Sequence, residues 1–203
     1  MKLAVIPTLV VALAVAAMIA LGFWQLDRRT QKESAIAQLA TNIARPPIAF
    51  PVSGTGDAAL FRRSSLDCAQ VTGVSRESGR AANGVRGWRV IATCRTAAGG
   101  TDYPVQLGVA RSPDDSLDWK GGPVNGYISY EPNHRALIRG AFDRSPKRLM
   151  LVVATPPAGL AANPGPDLSA VPNNHLAYAV QWFLFAGIAL VIYLLAVRRR
   201  GRG

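Results

Sequence analysis

Asn173-Asn174-His175-Leu176-Ala177-Tyr178-Ala179-Val180-Gln181-Trp182-Phe183-Leu184-Phe185 opens an apolar stretch that runs on to Val197 and closes on Arg198, Arg199 and Arg200. Residues 176–197 carry no formal charge. As a helix rising 1.5 Å per residue they reach roughly 33 Å, enough to cross a hydrocarbon core of about 30 Å. The stretch therefore reads as a transmembrane helix followed by a basic tail, 198–203. Arginines are retained on the cytoplasmic side of a membrane, so the helix is expected to run from the outer face inward, with His175 at the outer interface.

Working back to the other end of the chain, Leu3 to Phe23 is a second charge-free run, interrupted only by Pro7, Thr8 and Gly22. It reads as a first transmembrane helix over 3–23. A cleaved signal peptide is the competing reading, because Met1-Lys2 is a minimal basic start and Ala14-Val15-Ala16 resembles a small-residue cleavage site. The run continues past that triplet through Met18, Ile19, Leu21 and Phe23, beyond the 7 to 15 residues of a typical signal core. Two spans place both termini on the cytoplasmic side. Arg28, Arg29 and Lys32 follow the first span on the outer side, and the denser C-terminal cluster decides the orientation.

Asp27 to Asn174 lies between the spans and suffices for one domain with its own core. The net charge of +11 does not mark a nucleic-acid binder. Four of the positive charges, Arg198, Arg199, Arg200 and Arg202, lie beside an anionic lipid surface, and the other arginines form no aromatic-interleaved basic motif. With 19 Gly and 14 Pro the chain is rich in turns. A helical extension is expected over 25–40, stopped by Arg45-Pro46-Pro47. Beyond it, short apolar runs are spaced like strands: 68–74, 88–94, 103–109, 127–130, 136–138 and 149–154. They predict a β-rich extracytoplasmic domain over 45–155, a small barrel or sandwich. A Pro-rich stretch, 156–172, reads as a stiff extended tether back to the membrane.

Cys68 and Cys94 both fall in this outer domain. If the strands holding them pair around a turn near Arg80 to Gly84, the two cysteines face one another as a disulfide or a packed thiol pair. A copper or redox site is the other reading, but no tight sulfur pair supports it. Catalytic chemistry is poorly supplied. His134 and His175 are the only histidines, too few for a zinc site or a His-based triad elsewhere. Ser145-Pro146-Lys147 sits in a turn-rich stretch, Gly54-Thr55-Gly56-Asp57-Ala58-Ala59 lacks the strand and helix of a dinucleotide fingerprint, and His134 reads as a turn residue. No enzyme activity is expected.

His175 differs because it stands where a helix starts, with Asn173 or Asn174 as its cap and Pro172 just ahead. Spacings of three and four put His175, Tyr178, Trp182 and Phe185 on one helical face. Such a histidine, with aromatic rings below it, suits a haem iron flanked by a hydrophobic macrocycle. An interfacial belt of Tyr and Trp with a water-facing histidine is the plainer alternative.

Asn173-Asn174-His175-Leu176-x-Tyr178-Ala179-x-x-Trp182-Phe183, with its membrane helix and basic tail, resembles the C-terminal signature of the Surfeit-one (SURF) family of cytochrome c oxidase assembly proteins. Gly22-x-Trp24-Gln25-x-x-Arg28 is similar to that family's N-terminal motif, and Gly87-Trp88-Arg89-Val90 resembles its central Gly-aromatic strand. Where the family usually carries an Asn-Arg-Gly-Trp-like stretch, this chain reads Val105-Gln106-Leu107-Gly108-Val109-Ala110-Arg111, which implies a diverged subfamily.

The resemblance implies a multi-pass protein of the bacterial inner membrane with a periplasmic central domain. It implies a non-enzymatic factor that binds or stabilises haem a for insertion into oxidase subunit one. His175 would be the axial ligand, Tyr178 and Trp182 would line the site, and Trp24, Gln25 and Arg28 would contact haem propionates or the partner. Subunit one, the haem a synthesis enzyme and membrane lipid are the implied partners. A haem-free scaffold for an oxidase intermediate and an unrelated envelope binding module are the alternatives.

Overall fold

Proline and apolar patterning account for the two long helices of the computed structural model, which describes residues 5–51, 56–132 and 147–200. Helix α1 spans Val5–Ala44 and helix α2 spans His175–Arg200, each apolar and long enough to cross a membrane. Only 6% of the apolar window of each helix is buried. Ile6 and Leu13 are 76% and 70% exposed, and Leu184 and Ile192 are 59% and 61% exposed. Water would penalise that much uncovered hydrocarbon, whereas lipid accepts it. Helix α1 runs unbroken through the expected extension and stops at Ala44, because Arg45-Pro46-Pro47 follows. A proline lacks the N–H the next turn needs, and it restricts the residue ahead of it.

The chain divides into two compact units: Met1–Ala37 with Ser169–Gly203, and Gln38–Leu168. The second contains the sheet, formed by β1 (Ile48–Ala49), β2 (Arg63–Cys68), β3 (Gln70–Arg80), β4 (Arg86–Arg95), β5 (Tyr103–Ala110), β6 (Gly122–Tyr130) and β7 (Leu149–Val153). Their order is β1-β2-β6-β7-β5-β4-β3. The β1–β2 and β5–β7 pairs are parallel and the others antiparallel. No second sheet stands among the described residues, so the sandwich reading gives way to one sheet that curls.

The curl follows from a distance. In sheet order β2 and β4 are four strand spacings apart, roughly 19 Å if the sheet were flat. Yet Cys68 at the end of β2 and Cys94 in β4 are disulfide-bonded, with Cα atoms 5.2 Å apart. One residue, Ala69, links β2 to β3, so chain connectivity and the disulfide close the barrel at the same corner. The 68–74 run is therefore two strands. The cysteines are not opposite each other in one hairpin: Cys94 pairs with Val71 of β3, while Cys68 pairs with Gly122 of β6.

Inside, Leu66, Val90, Val105, Leu107, Ile128 and Leu151 form the main core, sealed by the edge-on rings of Phe50 and Tyr103 at 5.6 Å. Period-two alternation sends Ile91, Met150 and Val152 to the opposite face with Tyr127. Sequence reading missed β2 because Arg63-Ser64-Ser65-Leu66-Asp67-Cys68 is mostly polar. Its alternation is nonetheless strict, with Ser64, Leu66 and Cys68 buried. In the last turn of α1, Asn42 is fully buried and donates to the carbonyls of Ala58 and Leu60, both at 2.9 Å. The expected 136–138 strand, His134, Ser145-Pro146 and Gly54-Thr55 lie outside the described residues.

The Pro-rich stretch is extended, but up to Leu168 it belongs to the sheet unit and is strapped across β5. Val109 and Ala161 exchange backbone hydrogen bonds of 2.9 and 2.8 Å, and Ala82 N–H donates to the Ala162 carbonyl at 2.8 Å. Asn163 is buried, donating to the carbonyls of Gln106 and Val153 and accepting from the Gln106 amide at 2.7 Å. Gly108 permits the approach, since a side chain there would meet the Ala161 carbonyl at 2.8 Å. Tyr127 finishes the strap by donating its hydroxyl to the Pro164 carbonyl at 2.7 Å.

Two stability outcomes follow. A 26-residue separation between the bonded cysteines corresponds to about 3.5 kcal/mol of chain entropy removed from the unfolded state. Replacing both Cys68 and Cys94 with alanine should lower the denaturation midpoint accordingly, as should reduction of the native protein. Burial pushes the Tyr127 phenol up to about 12. Its stabilising contribution is present below the ordinary tyrosine value of about 10 and is lost as pH rises from there through the folded value. Tyr127→Phe should cost about 1 kcal/mol at neutral pH and flatten this alkaline loss in melting curves taken between those limits.

Candidate functional site

A lipid-exposed helix pair needs a seam, and apart from Leu26 the less exposed residues of α1 between Thr8 and Arg29 recur as Thr8, Val11, Val15, Met18, Gly22, Gln25 and Arg29. These alternate steps of three and four are the heptad spacing of an antiparallel coil seam. On α2 the fully covered positions are Ala179 and Ala186, small residues that let another helix come close. Gly22 receives the Phe183 ring, since an added Cβ would lie 2.5 Å from its Cε1. Phe183 also meets Phe23 edge-on at 5.4 Å. At the other end Thr8 and Tyr193 share a hydroxyl hydrogen bond of 2.5 Å.

His175 is the first residue of α2 and half-buried. The Asn174 carbonyl accepts from the Tyr178 N–H at 3.3 Å, which makes Asn174 the cap residue. The imidazole Nδ1 of His175 is 2.7 Å from Oε1 of Gln25. An amide oxygen only accepts, so this contact calls for a proton on Nδ1, and in the neutral imidazole the lone pair is then on Nε2. That is the form in which an imidazole ligates a metal.

At about 100° per residue, Trp182 lies about 20° and Tyr178 about 60° from His175 around the helix, on the side away from Ala179. Trp182 is half-buried and meets Phe185 edge-on at 6.2 Å, while Tyr178 is 52% exposed. The three expected site residues thus share one flank of α2, with Tyr178 furthest from the seam. On α1 the expected trio divides. Gln25 is engaged with His175 through its Oε1, which leaves its amide N–H groups for another acceptor. Arg28 stacks over Trp24 at 5.9 Å and donates to Gln31 at 2.8 Å. It stays exposed beside the site.

A metal group held here would have to bring most of its own ligands. Among the described residues, no three of His, Cys, Asp and Glu gather where they could hold a bare ion. An iron porphyrin brings four equatorial nitrogens of its own and asks the protein for an axial ligand, an apolar wall and cations for its carboxylates. His175 Nε2, the exposed rings of Tyr178 and Phe185, and Arg28 match those needs in kind. The seam partners Gly22, Phe183, Ala179 and Ala186 were missed from sequence. The three-four spacing along α1 was the signal that could have revealed them.

The family model described as the SURF1 family matches residues 12–187. No curated protein matches the chain.

The seam can be tested apart from any ligand. Cysteines placed at Thr8 and Tyr193 should crosslink efficiently in membranes. Adding Gly22→Leu, which drives a side chain into the space of the Phe183 ring, should cut that crosslinking severalfold, and Phe183→Ala in the same chain should restore part of it.

Proposed function

From the premise that the chain belongs to the SURF1 family, the family of cytochrome c oxidase assembly proteins, and so takes part in oxidase assembly, we propose that it holds haem a and presents it to oxidase subunit one. The observation that carries this is the orientation of His175: Nδ1 is tied to Gln25, and Nε2, at one end of an apolar helix pair, has no hydrogen-bond partner among the described residues. His175 holds the iron through Nε2. Tyr178 and Trp182 border the macrocycle, and Arg28 pairs with a propionate, a carboxylate that its planar guanidinium recognises well. The bound haem supplies an iron centre and a hydrophobic ring. The protein supplies the axial ligand, a lipid-side wall and shielding from water. It carries out no chemical step, in keeping with an assembly factor that is not an enzyme.

The proposed topology places both termini in the cytoplasm of a bacterial cell and the sheet domain in the periplasm. Arg198, Arg199 and Arg200 in the last turn of α2 support it. The opposing cations beyond the first span, Arg28, Arg29 and Lys32, are outnumbered by Arg198, Arg199, Arg200 and Arg202 at the other end. A disulfide-closed barrel also suits the oxidising side of the membrane. Subunit one and the haem a synthesis enzyme are then reached from within the same bilayer.

Deleting the gene should remove the a-type haem band from reduced-minus-oxidised spectra of the membranes, together with oxidase activity. The intact gene should restore both. His175→Ala should restore neither, and the purified variant should lose most of its haem. If His175→Ala restores the band and carries haem like the parent, the ligand role is wrong; if the band is restored while neither parent nor variant carries haem, a scaffold that never touches cofactor becomes the better account.

A further inference from the structure

We propose that Gln25 is a positioning residue for His175, so that the haem-binding competence of α2 is set by α1. The inference rests on the haem reading above and deepens it. An unrestrained neutral imidazole can carry its proton on either nitrogen and can turn about two side-chain torsions, and only one arrangement aims a lone pair outward. The Gln25 Oε1 at 2.7 Å from Nδ1 selects that arrangement. It fixes the tautomer through its acceptor-only oxygen, and it fixes ring rotation through the direction of the hydrogen bond.

Gln25 is itself held, because it stands one turn beyond Gly22 on the seam of α1, where the Phe183 ring packs against the Gly22 backbone. Among the described residues His175 has no other hydrogen-bond partner. Removing the amide therefore frees the ring instead of transferring it to a second acceptor. Pairing with Gln25 also makes the imidazole a better donor, since electron density shifts toward Nε2 when Nδ1–H is shared with an oxygen. The histidine and its orienting group come from helices 150 residues apart in the chain. An α2 separated from α1 would present an unoriented ligand.

The test uses the full chain in lipid nanodiscs, in four forms: parent, Gln25→Leu, Gln25→Glu and His175→Ala. Nitrogen NMR of the haem-free protein reads the tautomer of His175, and titration with ferric haem a followed in the Soret band reads affinity. Resonance Raman spectra of the reduced complex read the iron–histidine stretch. The parent should show the Nδ1–H tautomer. Gln25→Leu should lose that preference, bind haem a at least about tenfold more weakly and lower the stretching frequency. Gln25→Glu should restore affinity and raise the frequency above the parent's, because a carboxylate is the stronger acceptor.

An Nε2–H tautomer in the parent overturns the proposal. So does unchanged affinity and frequency in Gln25→Leu, and with His175→Ala losing haem that result leaves the haem reading standing. Equal loss in the Leu and Glu variants, accompanied by a lower melting temperature in both, would assign Gln25 to helix packing alone and overturn it as well. Haem binding unaffected by His175→Ala removes the reading and the positioning role together.

Discussion

Two helices in lipid gain little from the hydrophobic effect when they touch, because hydrocarbon surrounds them either way. Close approach must come from shape, and here it comes from the Phe183 ring seated where Gly22 has no side chain. Ala179 and Ala186 keep the facing surface of α2 shallow enough for that contact. The remaining features of the helix pair follow from it. The antiparallel seam brings Thr8 to Tyr193 at one end and Gln25 to His175 at the other. A histidine at the first turn of a lone helix would be free to face water or lipid; at this seam it acquires an orientation.

The sheet unit meets a different constraint, that of closing a sheet too narrow to close by hydrogen bonding alone. Its edge strands, β1 and β3, are the ends of the order. Ala69 and the Cys68–Cys94 bond bring the β2 and β4 ends together. Across β5, whose residues are all buried, the strap of residues 155–168 replaces solvent. A strap laid over a sheet brings buried amides with it, and those must find partners. Asn163 and Gln106 satisfy each other and the Val153 carbonyl. Proline at 164 and 166 suits such a segment, since an extended strand on the outside of a sheet has few N–H groups to place.

Legibility in the sequence followed the length and strength of the local signal. The helices were plain because more than twenty consecutive uncharged, mostly apolar residues have few soluble explanations. Strands β4, β5 and β7 were plain because valine, isoleucine and leucine cluster there. Strand β2 was not, because its inward positions include Ser64, and a buried serine carries no hydropathy. The 156–172 stretch was read from proline content as a stiff tether to the membrane, whereas its hold on the sheet depends on Gly108 and Asn163, single residues without a pattern. At the candidate site, His175, Tyr178 and Trp182 could be named from spacing along one helix. The engagement of Gln25 could not, because it joins two helices whose register the local pattern leaves open.

By itself, then, the amino-acid sequence determined the two membrane-length helices, the basic end of the second, the turn-rich β domain between them and the histidine at a helix start. Each is a property of neighbouring residues and of how water or lipid treats them. The tertiary structure alone decided that the sheet curls into a single closed corner, that the proline segment lies on it, and that the His175 ring points its Nδ1 at Gln25. Those outcomes depend on contacts between residues far apart in the chain, where steric fit and hydrogen-bond geometry select one arrangement from many that hydropathy would allow equally.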